Sequence, residues 1–306
     1  MLWRMISIAA RQQWAALVQR GIQRRADRQP SRGMLPVQIG YALPETREFA
    51  IQGPGGEHRI FVCVPPAPPP PEGYPMLFLL DANACFGTAV DALRLQAPWP
   101  EVSAVKPTVL VGIGYPGEAA FDSQRRSFDL APAVRNPTWR SSLALGLPWN
   151  KPGGADAFLA FLSQTLIGEL ARRYPVNPAD CHLCGLSLAG FFALYAMTQA
   201  PGTFRTYVGV SSALWWDDNR IAGDLEGLEC QDNPSARVLV VVGSAEIPDN
   251  PAVCQMMCQQ NRRAVEILND RGYRAEYLEL AGENHQSCIT AAMPAILRFV
   301  SSRTMT

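Results

Sequence analysis

In Cys181-His182-Leu183-Cys184-Gly185-Leu186-Ser187-Leu188-Ala189-Gly190-Phe191-Phe192-Ala193-Leu194, a buried-strand pattern runs without a loop into Gly-x-Ser-x-small-Gly and then into an apolar helix. A nucleophilic serine must stand at the apex of such a tight strand-to-helix turn, where bulky neighbours would clash. Gly185 and Ala189 flank Ser187 on its two sides. The helix that follows offers unpaired N–H groups and a positive dipole end to a developing oxyanion. Ser187 is therefore the candidate nucleophile, and the N–H of Leu188 the first candidate oxyanion donor.

The chain has three histidines, His58, His182 and His285, so the choice of base is narrow. His58 heads an early strand and His182 lies inside the elbow strand; both read as structural. His285, in Gly282-Glu283-Asn284-His285, follows the last strand pattern and precedes the final helix. Hydrolases that carry such an elbow use the chain order Ser, acid, His. The acid then belongs to the loop after Val238–Val242, where Glu246 and Asp249 both qualify and Glu246 is favoured. Its role is to orient the imidazole and stabilise the imidazolium. A second oxyanion donor is expected after an early strand, in Leu79-Leu80-Asp81-Ala82-Asn83-Ala84, and Asn83 is the choice by position.

Outward from these motifs, β-rich runs recur at Arg47–Gln52, Arg59–Val64, Met76–Leu80, Thr108–Ile113, Cys181–Leu186, Thr206–Ser211, Val238–Val242 and Ala275–Leu280. The later runs are continuously apolar, as strands buried on both faces of a parallel sheet are. Helical periodicity predicts Ala155–Arg173, Ala189–Gln199, Val253–Arg271 and Thr290–Ser301 between them. Alternation of this kind gives an α/β class: an α/β-hydrolase fold, with a central mostly parallel sheet flanked by helices in a single domain. Pro65–Pro71, proline everywhere but Ala67, reads as a stiff connection between two early strands. The stretch from Tyr115 to Pro152 has little periodicity and reads as an irregular insertion of functional size.

Composition sets the remaining bounds. Lys plus Arg and Asp plus Glu both number 27, so the formal charge is zero, and no basic footprint for nucleic acid is present. No apolar run is long enough to span a membrane. Residues 1–33 carry seven Arg and one acid, with Trp3, Ile6, Ala10, Trp14 and Leu17 at helical spacing. They read as an extension, poorly ordered or helical, ahead of a catalytic domain at 34–306; a transit or membrane-surface helix and a start at Met34 are the alternatives. The eight cysteines read as reduced thiols in a cytoplasm rather than a disulfide framework, with a periplasmic location the alternative. Cys181 and Cys184 fall on opposite faces of a strand, which argues against a redox pair. No cofactor or metal site is expected.

Taken together, the segments resemble the siderophore (ferric enterobactin and salmochelin) esterases within the α/β hydrolases. Tyr41-Ala42-Leu43-Pro44, Thr46-Arg47-Glu48-Phe49, the Leu79–Ala84 turn, Ile113-Gly114-Tyr115-Pro116, Arg125-Arg126 with Asp129, the elbow, Leu214-Trp215-Trp216 and Gly282–His285 carry the resemblance, which spans about residues 41 to 300. It implies hydrolysis of ester bonds, with a ferric catecholate siderophore as the small-molecule substrate. By the same resemblance Ser187 and His285 are catalytic and Arg125 and Arg126 are contacts to an anionic substrate, with structural pairing to Asp122 or Asp129 the alternative. Tyr115 and Trp215 are added as substrate contacts, with Trp215 and Trp216 as aromatic surface or as pocket and core wall. Guanidinium groups that pair with anionic oxygens and stack on aromatic rings suit such a ligand. Two departures stand out: Ala82 and Ala189 each replace the usual Gly. Acyl transfer, a general carboxylesterase or thioesterase, and a non-catalytic binding protein on the same scaffold are the competing readings.

Overall fold

Among the described residues, strand pairing builds one eight-stranded sheet in the spatial order Thr46–Gly53, Gly56–Cys63, Val109–Gly114, Tyr74–Leu80, Val176–Leu186, Thr206–Val210, Arg237–Gly243 and Arg274–Leu280. The computed structural model describes residues 42–135, 152–230 and 233–302. The strands are β1 (Thr46–Gly53), β2 (Gly56–Cys63), β3 (Tyr74–Leu80), β4 (Val109–Gly114), β5 (Val176–Leu186), β6 (Thr206–Val210), β7 (Arg237–Gly243) and β8 (Arg274–Leu280). β1 and β2 form an antiparallel hairpin, and β2 runs antiparallel to β4. Every other pairing is parallel, from Met76 beside Val109 through to Gly243 beside Leu280. Each predicted strand is present. The central ones are buried on both faces, as their unbroken apolar runs require.

Helices cover both faces. On one side lies the elbow helix Leu188–Gln199, buried from Leu188 through Met197 and apolar all round because it is covered on all sides. Beside it runs a helix that starts as Ala155–Ala160, passes through a π turn at Phe161–Leu166 and continues as Ile167–Arg173. The other side carries Ala82–Gln96 and Cys288–Ser301. Cys181 belongs to the first core and Cys184 to the second, on opposite faces of β5 as predicted. Helix Pro251–Asp270 begins earlier than its periodicity suggests. Pro251 occupies its first turn, and the Asn250 side chain accepts the Val253 N–H at 3.3 Å.

Four helices among the described residues are absent from the sequence reading, the short Pro100–Ser103 and Arg220–Glu226 among them. Ala82–Gln96 is a full helix where only a turn is predicted, and Ser123–Asp129 is a helix inside the segment read as irregular. The latter is capped by Asp122, whose carboxylate accepts the Gln124 and Arg125 N–H groups. Residues 1–33, and most of the second half of the predicted insertion, lie outside the described residues. Among the described residues no helix is long and apolar enough to cross a membrane. The carboxyl ends of the parallel strands all open at one edge of the sheet, which is where such folds place their ligands.

Candidate active site

Ser187 has φ 60° and ψ −117°, a conformation that costs about 1–3 kcal/mol for a non-glycine residue. Surrounding hydrogen bonds hold it there. Its N–H donates to the Val210 carbonyl at 2.8 Å, and its own carbonyl accepts from Phe191 at 2.9 Å and Ala213 at 3.0 Å. Gly185 has no room for a side chain, because a Cβ would overlap the Ala189 carbonyl. A Cβ on Gly190 would come 2.6 Å from Ser212 Oγ and 3.0 Å from the Val210 carbonyl oxygen. The Ala189 side chain, by contrast, is fully buried in the core, so the departure at this position costs the turn nothing.

His285 reaches the same edge from the loop after β8. Its Nδ1 lies 2.7 Å from Glu246 Oε2, and its side chain is one-fifth exposed. Glu246 is wholly buried in the loop after β7 and fully engaged. Oε1 accepts the Gly243 N–H at 2.8 Å and the Ser211 hydroxyl at 2.6 Å, which leaves Oε2 for the imidazole. Asp249 is exposed on the same loop. Of the two carboxylates left open by the sequence, Glu246 is the one paired with His285. The other histidines sit apart: His182 is buried beside Asp180 at 3.4 Å, and His58 beside Asp129 at 3.7 Å.

The turn after β3 is built differently from the sequence expectation. Asp81 takes the left-handed conformation, φ 52° and ψ 41°, and ends β3 directly against the first turn of Ala82–Gln96. Ala82 is buried, and a Cβ on Gly112 of β4 would come 2.7 Å from its methyl, so the Ala82 methyl packs where Gly112 leaves room. The Asn83 side chain is a staple. Nδ2 donates to the carbonyls of Tyr115 at 3.0 Å and Gly117 at 3.2 Å, and Oδ1 accepts the Tyr115 N–H at 3.0 Å. With its amide so occupied, Asn83 has its backbone rather than its side chain to offer an oxyanion.

Ser187 and His285 share the wall of a cavity of about 400 Å³ with Asp81, Phe121, Arg126 and Ile289. Arg126 grips Asp81 through Nε at 3.1 Å and Nη2 at 2.7 Å, and its guanidinium lies 5.3 Å from the Phe121 ring centroid. Phe121 is 41% exposed, an aromatic surface at the mouth. Cys85 also lines the cavity, but burial, with Asp81 adding to it, pushes its thiol up to about 12, so it does not compete as a nucleophile. Arg125, Tyr115 and Trp215 are not among the described residues lining it. Arg125 turns away to Asp129 at 3.7 Å and the Glu57 carbonyl at 3.1 Å, with Tyr115 buried beneath it. Trp215 packs against the core. Ser211, Asp81 and Phe121 contribute to the site although sequence reasoning gave them no role there; only Asp81 lay in a motif that had been singled out. Among the described residues no group of three or more His, Cys, Asp or Glu side chains is arranged to hold a metal ion.

A model of the putative esterase family matches residues 51–300. In sequence the chain is 32% identical over 262 residues to the ferri-bacillibactin esterase BesA of Bacillus subtilis (strain 168), covering 83% of this chain and 88% of that protein. It is 24% identical over 245 residues to the apo-salmochelin esterase of Escherichia coli O6:H1 (strain CFT073), covering 80% and 74%. Among solved structures, the BES protein from Bacillus cereus matches with TM-score 0.78 at 28% identity, over 88% of this chain and 100% of that one. The siderophore hydrolase EstA from Aspergillus nidulans shares the fold, with TM-score 0.71 at 24% identity over 89% and 99%. The fold is the α/β-hydrolase fold that the sequence predicts.

Proposed function

The chain belongs to the putative esterase family, and from that membership we propose a serine-esterase mechanism carried by Ser187, His285 and Glu246. His285 takes the Ser187 proton as the hydroxyl attacks the ester carbonyl, and Glu246 steadies the imidazolium without becoming protonated. The Leu188 N–H and a backbone N–H of the Asp81–Asn83 turn hold the oxyanion. Collapse of the tetrahedral intermediate expels the alcohol, which takes the proton from His285, and water then releases the acid by the reverse sequence. The observation that supports this most is the 2.7 Å contact of Glu246 with an imidazole that shares one cavity with an elbow serine.

The substrate class follows the relatives, whose names specify ferri-bacillibactin and apo-salmochelin. A ferric catecholate siderophore is anionic and aromatic. Arg126 and Phe121 at the cavity suit both properties. The cytoplasm is the compartment proposed, on the ground that all eight cysteines stand as free thiols, and cell fractionation tests it. Residues 34–306 are proposed as the catalytic domain; a chain starting at Met34 that keeps full turnover supports this.

The test is ester turnover with Ser187→Ala alongside, on p-nitrophenyl esters and on ferric enterobactin. Loss of about three orders of magnitude, together with loss of fluorophosphonate labelling, is expected for the variant. Wild-type turnover by the variant overturns the mechanism. Failure to cleave the siderophore, with short esters still cleaved, removes the substrate and leaves the chemistry.

A further inference from the structure

Ser211 follows the last residue of β6 and is fully buried. Its φ is 45°, in the left-handed region that glycine occupies without strain. The bend is fixed from several sides. The Ser211 N–H donates to the Val241 carbonyl at 2.7 Å, and the next carbonyl, that of Ser212, accepts at 3.0 Å from the amide of Asn261, itself fully buried. A backbone that asks for glycine therefore carries a serine. The hydroxyl has a use that glycine lacks: it donates to Glu246 Oε1 at 2.6 Å.

That bond is one of two donors on Oε1, the other being the Gly243 N–H at 2.8 Å. Together they set the rotation of the carboxylate and draw charge toward Oε1, away from the oxygen that faces His285. Ser211 supplies the side-chain member of the pair. It lies outside the cavity lining, so it has no part in holding substrate. The other titratable groups facing Glu246 include Cys288 on the final helix, which also bonds the Ser211 hydroxyl and feels Glu283 of the His285 loop, and Cys258 on helix Pro251–Asp270. Burial pushes the Cys288 and Cys258 thiols up to about 12 and about 11, so both stay neutral where the enzyme works.

We propose that Ser211 is a positioning residue for the Glu246–His285 pair, its hydroxyl orienting the carboxylate and tempering its hold on the imidazole proton. The inference rests on the mechanism given above. Without the hydroxyl, the carboxylate carries more charge on Oε2, the pair binds its proton more tightly, and its geometry loosens.

The experiment compares Ser211→Ala, which keeps the strained bend, with Ser211→Gly, which relaxes it; His285→Ala runs beside them. In both Ser211 variants the acid limb of the kcat/KM profile should move up by about one pH unit. At the plateau kcat should fall about tenfold with KM within about twofold. Should Ser211→Ala fail to fold, Ser211→Gly carries the same readout. Unchanged profiles in the Ser211 variants, with His285→Ala inactive, overturn the role of Ser211 and leave the mechanism standing. Wild-type turnover in His285→Ala takes down both.

Discussion

His285 and Glu246 are joined twice: Nδ1 meets Oε2 at 2.7 Å, and the His285 backbone N–H donates to the Glu246 carbonyl at 3.0 Å. The backbone bond fixes one loop against the other, so the side-chain bond needs no search for its partner. Glu246→Gln should leave the loops in place while forcing the wrong imidazole tautomer, and turnover should fall about a thousandfold or more. Asp249→Asn, on an exposed side chain of the same loop, should stay within about twofold of wild type. Ester hydrolysis rates of the two variants, with thermal melts to show that both are folded, check this.

Asn83→Ala removes three hydrogen bonds and strands the Tyr115 N–H beside β4. The expected cost is about 1–3 kcal/mol of stability for the unpaired group. Because the staple sets the turn proposed to hold the oxyanion, kcat should fall about tenfold with KM little changed. Denaturant melts and steady-state kinetics on one neutral ester separate the two effects.

Arg126→Met leaves the nearly buried Asp81 carboxylate without its cation. Breaking such a pair costs about 3–5 kcal/mol, and adding Asp81→Asn should recover most of it. The double variant should still bind anionic esters about tenfold more weakly, while neutral esters are unaffected. KM for a charged and an uncharged ester, measured beside the melting temperature, distinguishes the lost cation from lost stability.

Asp129 and His58 oppose one another in pH. Burial, with Arg125 adding to it, lowers His58 from 6.5 to about 4, so its contribution to stability is present above pH 6.5 and lost as pH falls toward 4. Burial, opposed by Arg125, raises Asp129 from 3.8 to about 6, so its contribution is full below pH 3.8 and lost as pH rises through 6. Between pH 4 and 6.5 the two slopes work against each other. Asp129→Asn leaves the His58 slope alone. The variant should therefore lose more stability than wild type over that interval, by at least about 2–4 °C of melting temperature.

The central strands were legible as continuous apolar runs because they are buried too completely to alternate, whereas the edge strands β1 and β8 were legible through alternating apolar positions between polar ones. Ser187 and His285 were singled out through motif and scarcity, and the structure brings both to the wall of one cavity. The helix Ala82–Gln96 was missed for a physical reason. Its buried face, Ala82, Cys85, Phe86, Ala89, Val90 and Leu93, has helical spacing but is half small side chains, and Asp81 starts it without a side-chain cap. The sequence favoured Glu246 over Asp249 but left both open, since the pairing with His285 depends on which one folds inward. Ser211 acts across 35 residues of chain, a relation that no local pattern encodes. For Arg125 the sequence left ligand contact and pairing with Asp122 or Asp129 both open, and the structure shows its guanidinium beside Asp129, four residues on.

The two flanks of the elbow are not equivalent. Position 185 is closed by main-chain atoms of residue 189, so no change of side chain there can open it, whereas position 189 looks into packed hydrocarbon and accepts a methyl. A motif search that demands glycine on both sides of the serine therefore discards chains of this kind. One that fixes the first glycine and relaxes the second to any small residue keeps them, and draws the boundary where the steric limit lies.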